Sequence, residues 1–242
     1  MAGNIRFKIL VCCVLTTVIL FGAAARTGIV PAGGDAAIKL PNAVPMVALT
    51  FDDGPKPETT GRLLDALALR EIPATFFLVG EFIPENQEII RRMASEGHQL
   101  GVHSFSHIEI TNLSRSDFDF EVTQTRDLLT QIVGPGAYWL RPPYGILDDS
   151  VRNWADSPII LWSLDPEDWK DRDTRRITDT VLSQVQDGDI LLFHDIYDSS
   201  VDAVIQIADA LLDQGYCFAT VEQLLKARNI PIENGTIYRS AE

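Results

Sequence analysis

The chain has 242 residues, of which 46% are hydrophobic, with 16 glycines and 13 prolines. This composition excludes a low-complexity or disordered chain and suits one compact domain with a sizeable core, or one barrel-type fold. The formal net charge is −14, and it becomes −16 without the two positive charges of the first 25 residues. So acidic a surface repels phosphate backbones and anionic lipid. We therefore expect no nucleic-acid partner and favour a neutral substrate.

The first 25 residues are typical of a secretory signal peptide. Arg6 and Lys8 precede an apolar run over residues 9–21, and the alanines at 23–25 supply small residues for cleavage. The alternative is an uncleaved membrane anchor, because the uncharged run approaches the length of about 17 residues that a span requires. We expect cleavage, no stable membrane span, and an exported protein that is secreted, periplasmic or associated with the cell envelope.

The remaining chain divides into three predicted parts. Residues 26–44 are rich in Gly, Ala and Pro and are interpreted as a linker. The folded domain is predicted over residues 45–230, and residues 231–242 form a C-terminal tail. After cleavage Cys217 is the one cysteine left, which excludes a disulfide framework. We expect a single domain and a monomer.

Strand-like and helix-like segments alternate through the predicted domain. The predicted strands are residues 46–51, 74–79, 99–103, 138–141, 159–164, 190–194 and 217–220. The predicted helices are residues 58–70, 85–96, 116–132, 148–154, 173–186, 200–214 and 221–227. This alternation predicts an α/β fold with a parallel sheet and helices outside it. Seven such units in this length predict a distorted (β/α)₇ barrel of the TIM-like type.

The first predicted strand ends in two adjacent carboxylates, Asp52 and Asp53, before a Gly-Pro turn. Both side chains can lean into one site where the strand ends, and two like charges this close require a positive partner. The pair therefore predicts a metal ion, an arginine or both. The alternative is an ordinary Asp-Gly turn that caps the next helix.

Three of the four histidines lie at or just after the end of a predicted strand, on the side of a barrel that carries the active site. His103 and His107 are four residues apart, so both imidazoles can reach one ion. With a carboxylate from Asp52 or Asp53 they form a two-His, one-Asp set with open positions, which suits zinc or another divalent metal. His98 precedes its strand and is assigned to packing or a hydrogen bond.

Later segments add candidates at the same end of the sheet. Arg141 closes a strand, where a guanidinium can pair with one aspartate and hold it ionised. Two prolines follow it and stiffen the loop, which fixes the direction of the Tyr144 backbone N–H. Trp162 and Trp169 lie among carboxylates, and exposed indole stacks on sugar rings. His194 ends an apolar strand, where a nearby carboxylate can keep it protonated as a general acid. An ordinary structural role is the alternative for each.

Taken together, these residues resemble the polysaccharide deacetylase family, carbohydrate esterase family 4, with its NodB-homology domain. Five motifs of that family occur in order: TFDDGP from Thr50, HSFSH from His103, RPPY from Arg141, DPEDW from Asp165 and LFH from Leu192. The resemblance implies a metal-dependent hydrolase that removes acetyl groups, as acetate, from polysaccharide containing N-acetylglucosamine. Peptidoglycan, chitin oligomers and an exopolysaccharide are all open as substrates.

The resemblance also implies a role for each matching residue. Asp53, His103 and His107 would bind the divalent metal, usually Zn²⁺, with Co²⁺, Mn²⁺ or Ni²⁺ as alternatives. Asp52 would be the general base and His194 the general acid. The remaining implied roles are Arg141 to orient Asp52, Asp168 to tune His194, the Tyr144 backbone N–H to stabilise the oxyanion, and Trp169 and Leu192 to line the acetyl pocket.

Two functions of other kinds stay open from the sequence. A carbohydrate-binding protein without catalysis would share the fold, but it would not need a base at Asp52 and an acid at His194. A metal-free amidohydrolase for cyclic amides would also share the fold. The complete metal-ligand set and the signal peptide argue against it. De-O-acetylation of acetylxylan would use the same site.

Overall fold

The computed structural model describes residues 44–241, and the predicted signal peptide and nearly all of the predicted linker lie outside this range. The strands are β1 (Met46–Asp52), β2 (Thr75–Leu78), β3 (Gln99–Val102), β4 (Trp139–Leu140), β5 (Ile159–Ile160), β6 (Ile190–His194), β7 (Cys217–Phe218) and β8 (Ile237–Tyr238). The helices are α1 (Pro57–Leu69), α2 (Gln87–Ser95), α3 (Arg115–Val133), α4 (Asp149–Trp154), α5 (Asp168–Asp171), α6 (Thr174–Gln184), α7 (Asp198–Asp213) and α8 (Val221–Ala227). Among these described helices, none has the length and apolar character needed to cross a membrane.

The strands form one parallel sheet that curls round on itself. Its order is β6-β1-β2-β3-β4-β5-β8, and β7 pairs with the first residues of β1. Leu164, just after β5, forms a parallel bridge to Leu191 in β6, so the far side of the sheet returns to its first strand. This is the distorted (β/α) barrel that the sequence predicts. Because the strands run in one direction, their carboxyl ends meet at one edge.

Burial on both faces of the sheet explains the apolar strands. Neighbouring residues of a strand point to opposite faces, and in β2 Phe76 packs in one apolar cluster while Phe77 packs in another. The larger cluster joins the sheet to the outer helices, including Leu63 of α1 and Val204 of α7. The smaller cluster contains Leu224 of α8. A parallel sheet covered in this way needs nearly continuous hydrophobic strands.

The structure differs from the sequence prediction in short elements. No strand was predicted after residue 230, but β8 lies in the predicted tail and pairs with β5. A two-residue strand has no measurable periodicity, so the sequence pattern gives no signal for it. The four-residue helix α5 was missed for the same reason. Helix α3 begins earlier than predicted, because Ser114 caps it by accepting a hydrogen bond from the Asp117 N–H at 3.2 Å.

Packing inside the sheet generates a stability prediction. A Cβ on Gly101 in β3 would lie 2.5 Å from a ring carbon of Phe77 and 2.8 Å from the Trp139 backbone oxygen. We expect Gly101→Ala to lower the free energy of unfolding by about 1–3 kcal/mol, because the backbone oxygen cannot move aside. Gly61→Ala in α1 is the control. Nothing lies within 4 Å of the carbon it adds, and it should raise the free energy of unfolding by about 0.5–1 kcal/mol. Urea unfolding measures both, and equal stability of the two variants would contradict this packing.

Candidate active site

The carboxyl ends of the strands surround a cavity of about 380 Å³. Eight of the ten site residues predicted from the sequence line it: Asp52, Asp53, His103, His107, Tyr144, Trp169, Leu192 and His194. The other two, Arg141 and Asp168, are fully buried and contact Asp52 and His194. The structure therefore brings all ten residues together, and their roles stay predictions.

A buried ion pair forms the wall of this cavity. The Arg141 guanidinium donates to Asp52 Oδ1 at 2.7 Å, and neither side chain is more than 3% exposed. It also donates to the Thr50 hydroxyl at 2.7 Å and to the backbone oxygens of Ile160 and Leu161 at 3.1 and 2.9 Å. Burial lowers the pKa of Arg141 and the Asp52 charge raises it, and the pKa stays below its usual value. The pair leaves Asp52 Oδ2 on the cavity side, 3.6 Å from His103 Nε2.

Three side chains gather at the centre of the cavity in the arrangement of a metal site. Ligand atoms of Asp53, His103 and His107 all lie within 4.8 Å of one another. Asp53 Oδ1 is buried without a hydrogen bond, 3.5 Å from His103 Nε2 and 3.1 Å from His107 Nε2. Burial acts to raise the pKa of Asp53, but the two imidazoles outweigh it, so this pKa lies well below its usual range. The carboxylate is therefore ready to bind a cation.

The orientation of His103 fits metal binding as well. Its Nδ1 lies 2.7 Å from the backbone oxygen of Arg141. A carbonyl oxygen can only accept, so Nδ1 carries a proton, and Nε2 is the ring nitrogen that faces Asp53. Metal-binding histidines commonly use this second hydrogen bond to select the tautomer. Two imidazole nitrogens and one carboxylate oxygen, with room for water, are a donor set typical of a catalytic divalent metal.

Unusual backbone conformations occur at several site residues. Asp53, His107 and Tyr144 have φ values of 71°, 55° and 61°. A positive φ costs a non-glycine residue about 1–3 kcal/mol, and such residues cluster at functional sites. The turn over Pro143–Gly145 leaves the Tyr144 side chain 61% exposed, with its hydroxyl 3.4 Å from His107 Nδ1. The strained backbone thus sets the direction of Asp53 and His107, two of the three candidate ligands, and of their neighbour Tyr144.

On the opposite side of the cavity, Asp168 holds His194 in place. Asp168 Oδ1 lies 2.7 Å from His194 Nδ1, and Asp168 Oδ2 accepts the His194 backbone N–H at 2.8 Å. Burial acts to lower the pKa of His194, but the hydrogen bond and charge of Asp168 raise it to about 9. His194 is therefore protonated at neutral pH, and it lies beside Asp52 in the register of β1 and β6.

Glu121 was missed from the sequence although it organises the site. Its carboxylate accepts the backbone N–H groups of Phe105 and Ser106, both at 2.9 Å, and the Ser106 hydroxyl at 2.7 Å. This holds the loop between the two candidate histidine ligands. The signal was present in the sequence, because Glu121 lies on the apolar face of α3 with Phe118 and Val122. A glutamate on a buried helix face needs a partner.

Asp195 was also missed, and it supports the turn that carries Asp53. Its fully buried carboxylate accepts a hydrogen bond from the Thr60 hydroxyl, which in turn accepts the Lys56 backbone N–H at 2.9 Å. A Cβ on Gly54 would lie 2.5 Å from Asp195 Oδ1, so only glycine fits between them. Burial raises the pKa of Asp195 to about 7.

Comparison with known proteins agrees with the fold. The sequence profile of the family described as polysaccharide deacetylase matches residues 39–157. The peptidoglycan-N-acetylmuramic acid deacetylase PdaC of Bacillus subtilis (strain 168) is 43% identical over 74% of this chain. That match spans 38% of the relative, so the chain covers well under half of its length.

Two solved structures are similar over nearly their whole length. The T48 deacetylase, solved with substrate, is 39% identical with a TM-score of 0.77, covering 81% of this chain and 96% of that one. A family 4 acetyl xylan esterase from Clostridium thermocellum, in complex with a cobalt ion, is 31% identical with a TM-score of 0.77. It covers 81% of this chain and 98% of that one. The chain therefore belongs to the polysaccharide deacetylase family.

The contact between Asp168 and His194 generates a titration prediction. In the metal-free protein we expect NMR titration of the His194 imidazole to give a pKa of about 9. Asp168→Asn should lower this pKa, because burial is then opposed only by the charges of Asp52 and Asp53. The exposed control Asp213→Asn should leave it unchanged.

The same pKa shift of His194 makes the stability of the folded state depend on pH. The folded pKa of His194 is above its unfolded value, so the stabilisation is complete below about pH 6.5. It is lost as the pH rises through about 9. A wild-type His194 pKa near 6.5 would contradict the assigned hydrogen bond.

Proposed function

We propose that this chain is a divalent-metal-dependent hydrolase that removes N-acetyl groups from a polysaccharide containing N-acetylglucosamine and releases acetate. One observation carries the proposal. A three-ligand cluster lies in the same cavity as a carboxylate paired with arginine and a histidine paired with aspartate. A purely carbohydrate-binding protein has no use for that acid and base, and a metal-free amidohydrolase has no use for the ligand cluster.

The metal would be held by Asp53, His103 and His107. Zinc suits two neutral imidazoles and one carboxylate best, and cobalt, manganese or nickel can occupy the same donor set. Once bound, the cation supplies Lewis-acid activation of water and of the acetyl carbonyl. The unpaired Asp53 Oδ1 and the Nδ1 hydrogen bond of His103 support this assignment.

Asp52 is proposed as the general base. Its Oδ1 is occupied by Arg141, so Oδ2 remains on the cavity side to take a proton from the attacking water. The guanidinium fixes the direction of the carboxylate, which makes the proton transfer efficient. The water oxygen bonds to the acetyl carbon, and the Tyr144 backbone N–H donates to the carbonyl oxygen as it gains charge.

His194 is proposed as the general acid for the second half of the reaction. The carbon–nitrogen bond breaks, and the imidazolium gives its proton to the leaving sugar nitrogen. The product is a free amine together with acetate. Asp168 contacts His194 Nδ1 and stabilises the imidazolium before that transfer. The raised pKa of His194 supports an acid that is loaded at neutral pH.

Apolar side chains would receive the acetyl methyl group and the sugar. Leu192 is 3% exposed at the base of the cavity, whereas Trp169 is 49% exposed at its edge. A buried leucine suits a methyl group, and an exposed indole suits the apolar face of a sugar ring. The reacting N-acetyl unit is itself neutral. We further propose an exported monomer, acting where such glycans occur.

Metal binding and chemistry can be tested separately. With N-acetylglucosamine oligomers and added zinc, we expect Asp52→Asn to lower kcat by about 10²- to 10⁴-fold, because the amide cannot accept the proton. The variant should still bind zinc in a calorimetric titration. By contrast, Asp53→Ala should lose both zinc binding and acetate release.

The matched control is Asp127→Asn, which changes an exposed aspartate on α3 and should alter neither quantity. If wild-type protein that holds zinc releases no acetate from any N-acetylated glycan, the proposed function is wrong. If Asp52→Asn keeps wild-type kcat, the assignment of the base is wrong.

A further inference from the structure

A second cavity, of about 590 Å³, opens beside the first and shares Asp53 and His107 with it. Its walls include Lys56, from the turn before α1, and Arg172, which directly follows α5. We call this space the Lys56–Arg172 groove. Because the two cavities share these residues, the groove has room for a sugar next to one whose acetyl group lies in the candidate active site.

The two cations of the groove are unusual in this protein. Within residues 44–241 there are sixteen lysines and arginines, and twelve of them form an ion pair with a carboxylate. The four without one in this described range are Lys56, Arg91, Arg172 and Arg239. Two of the four therefore line the same groove, in a chain whose net charge is −14.

Neutral contacts hold both cations in position. The Arg172 Cζ lies 4.1 Å from the ring centroid of Tyr197, and Arg172 has a φ of 55°. The Lys56 Nζ donates to the backbone oxygen of Ile196 at 3.2 Å. An aromatic face and a carbonyl oxygen orient a cation without cancelling its charge. Both charges remain available to an anionic ligand.

The groove also offers apolar surface to a sugar ring. Phe82 is 46% exposed on its wall, and the half-buried Tyr197 ring lies 6.3 Å from the His194 ring. An aromatic ring in a groove lined by two cations suits a sugar that carries an acidic substituent. A plain N-acetylglucosamine oligomer would leave the two charges without partners.

We propose that the Lys56–Arg172 groove binds the carboxylate of a sugar adjacent to the one that is deacetylated. This rests on the proposed function and narrows its substrate class to acidic N-acetylated glycans, of which strands containing N-acetylmuramic acid are the example. The expectation of a wholly neutral substrate came from the net charge, which averages over the whole surface. The charge in the groove has the opposite sign.

The test compares two glycans that differ in the carboxylate. The probes are neutral N-acetylglucosamine oligomers and oligomers of alternating N-acetylglucosamine and N-acetylmuramic acid without peptide. For the double variant Lys56→Gln, Arg172→Gln, we expect KM for the acidic oligomers to rise about three- to tenfold with kcat nearly unchanged. KM for the neutral oligomers should stay the same. Arg172→Lys, which keeps the charge, should raise KM for the acidic oligomers less than Arg172→Gln does.

The control variant is Arg91→Gln, which removes an exposed cation without an ion pair from α2, away from the groove lining. It should leave both KM values unchanged. A third probe, peptide-bearing strands, distinguishes the lactyl carboxylate of the sugar from a carboxylate of an attached peptide. There the lactyl carboxylate is blocked by an amide bond, so an effect of the double variant on these strands would assign a peptide carboxylate as the ligand and overturn the assignment to the sugar's own carboxylate.

Three further results would overturn the inference. If the double variant raises KM equally for neutral and acidic oligomers, the groove binds sugar without distinguishing its charge. No change with any acidic probe, while the wild type releases acetate normally, would refute the carboxylate site and leave the proposed function standing. Absence of acetate release by the zinc-loaded wild type from every probe would instead refute the proposed function, and the groove assignment with it.

Discussion

The buried ion pair between Asp52 and Arg141 is the interaction on which the site depends. A charge inside a protein is costly unless it is paired and hydrogen-bonded, and here the guanidinium satisfies the carboxylate, a hydroxyl and two backbone oxygens. Those partners lie on β1 and in the segment at the end of β5. Removing either ion would leave the other uncompensated, at a cost of about 3–5 kcal/mol. One contact therefore holds the strand ends together and orients the proposed base.

The rest of the site depends on the surroundings of two titratable groups, Asp53 and His194. Asp53 faces imidazoles, which keep it ionised, whereas His194 faces Asp168, which keeps it protonated. These environments drive the pKa values of neighbouring groups apart. One site can therefore supply both a metal-binding carboxylate and an acid at neutral pH. The barrel makes this possible because its parallel strands deliver these residues to one edge, with Asp52 beside His194 in register.

The sequence predicts this arrangement where an apolar strand ends in a polar residue, as at Asp52 and His194, and where Arg141 follows the short strand β4. Prediction from the sequence fails where the physical cause of a feature lies in distant parts of the chain. The two-residue strand β8 has no periodicity of its own and exists only because β5 offers a free edge. Whether Arg172 is paired or free depends on carboxylates distant in the chain, so the net charge of the chain does not describe the charge in the groove. The coupling of Glu121 to the histidine loop is likewise tertiary.

The most direct test of the central claim is an anomalous-scattering map at the zinc edge, from crystals of the wild-type chain soaked in zinc. The account predicts one strong peak, about 2.0–2.2 Å from His103 Nε2, His107 Nε2 and an Asp53 oxygen. Asp52 should remain on Arg141, with its second oxygen free for the proton. A peak bound by Asp52, with the contact to Arg141 broken, would contradict the assignment of Asp53 as the metal ligand and Asp52 as the base. Zinc held only elsewhere on the protein would contradict the metal site itself.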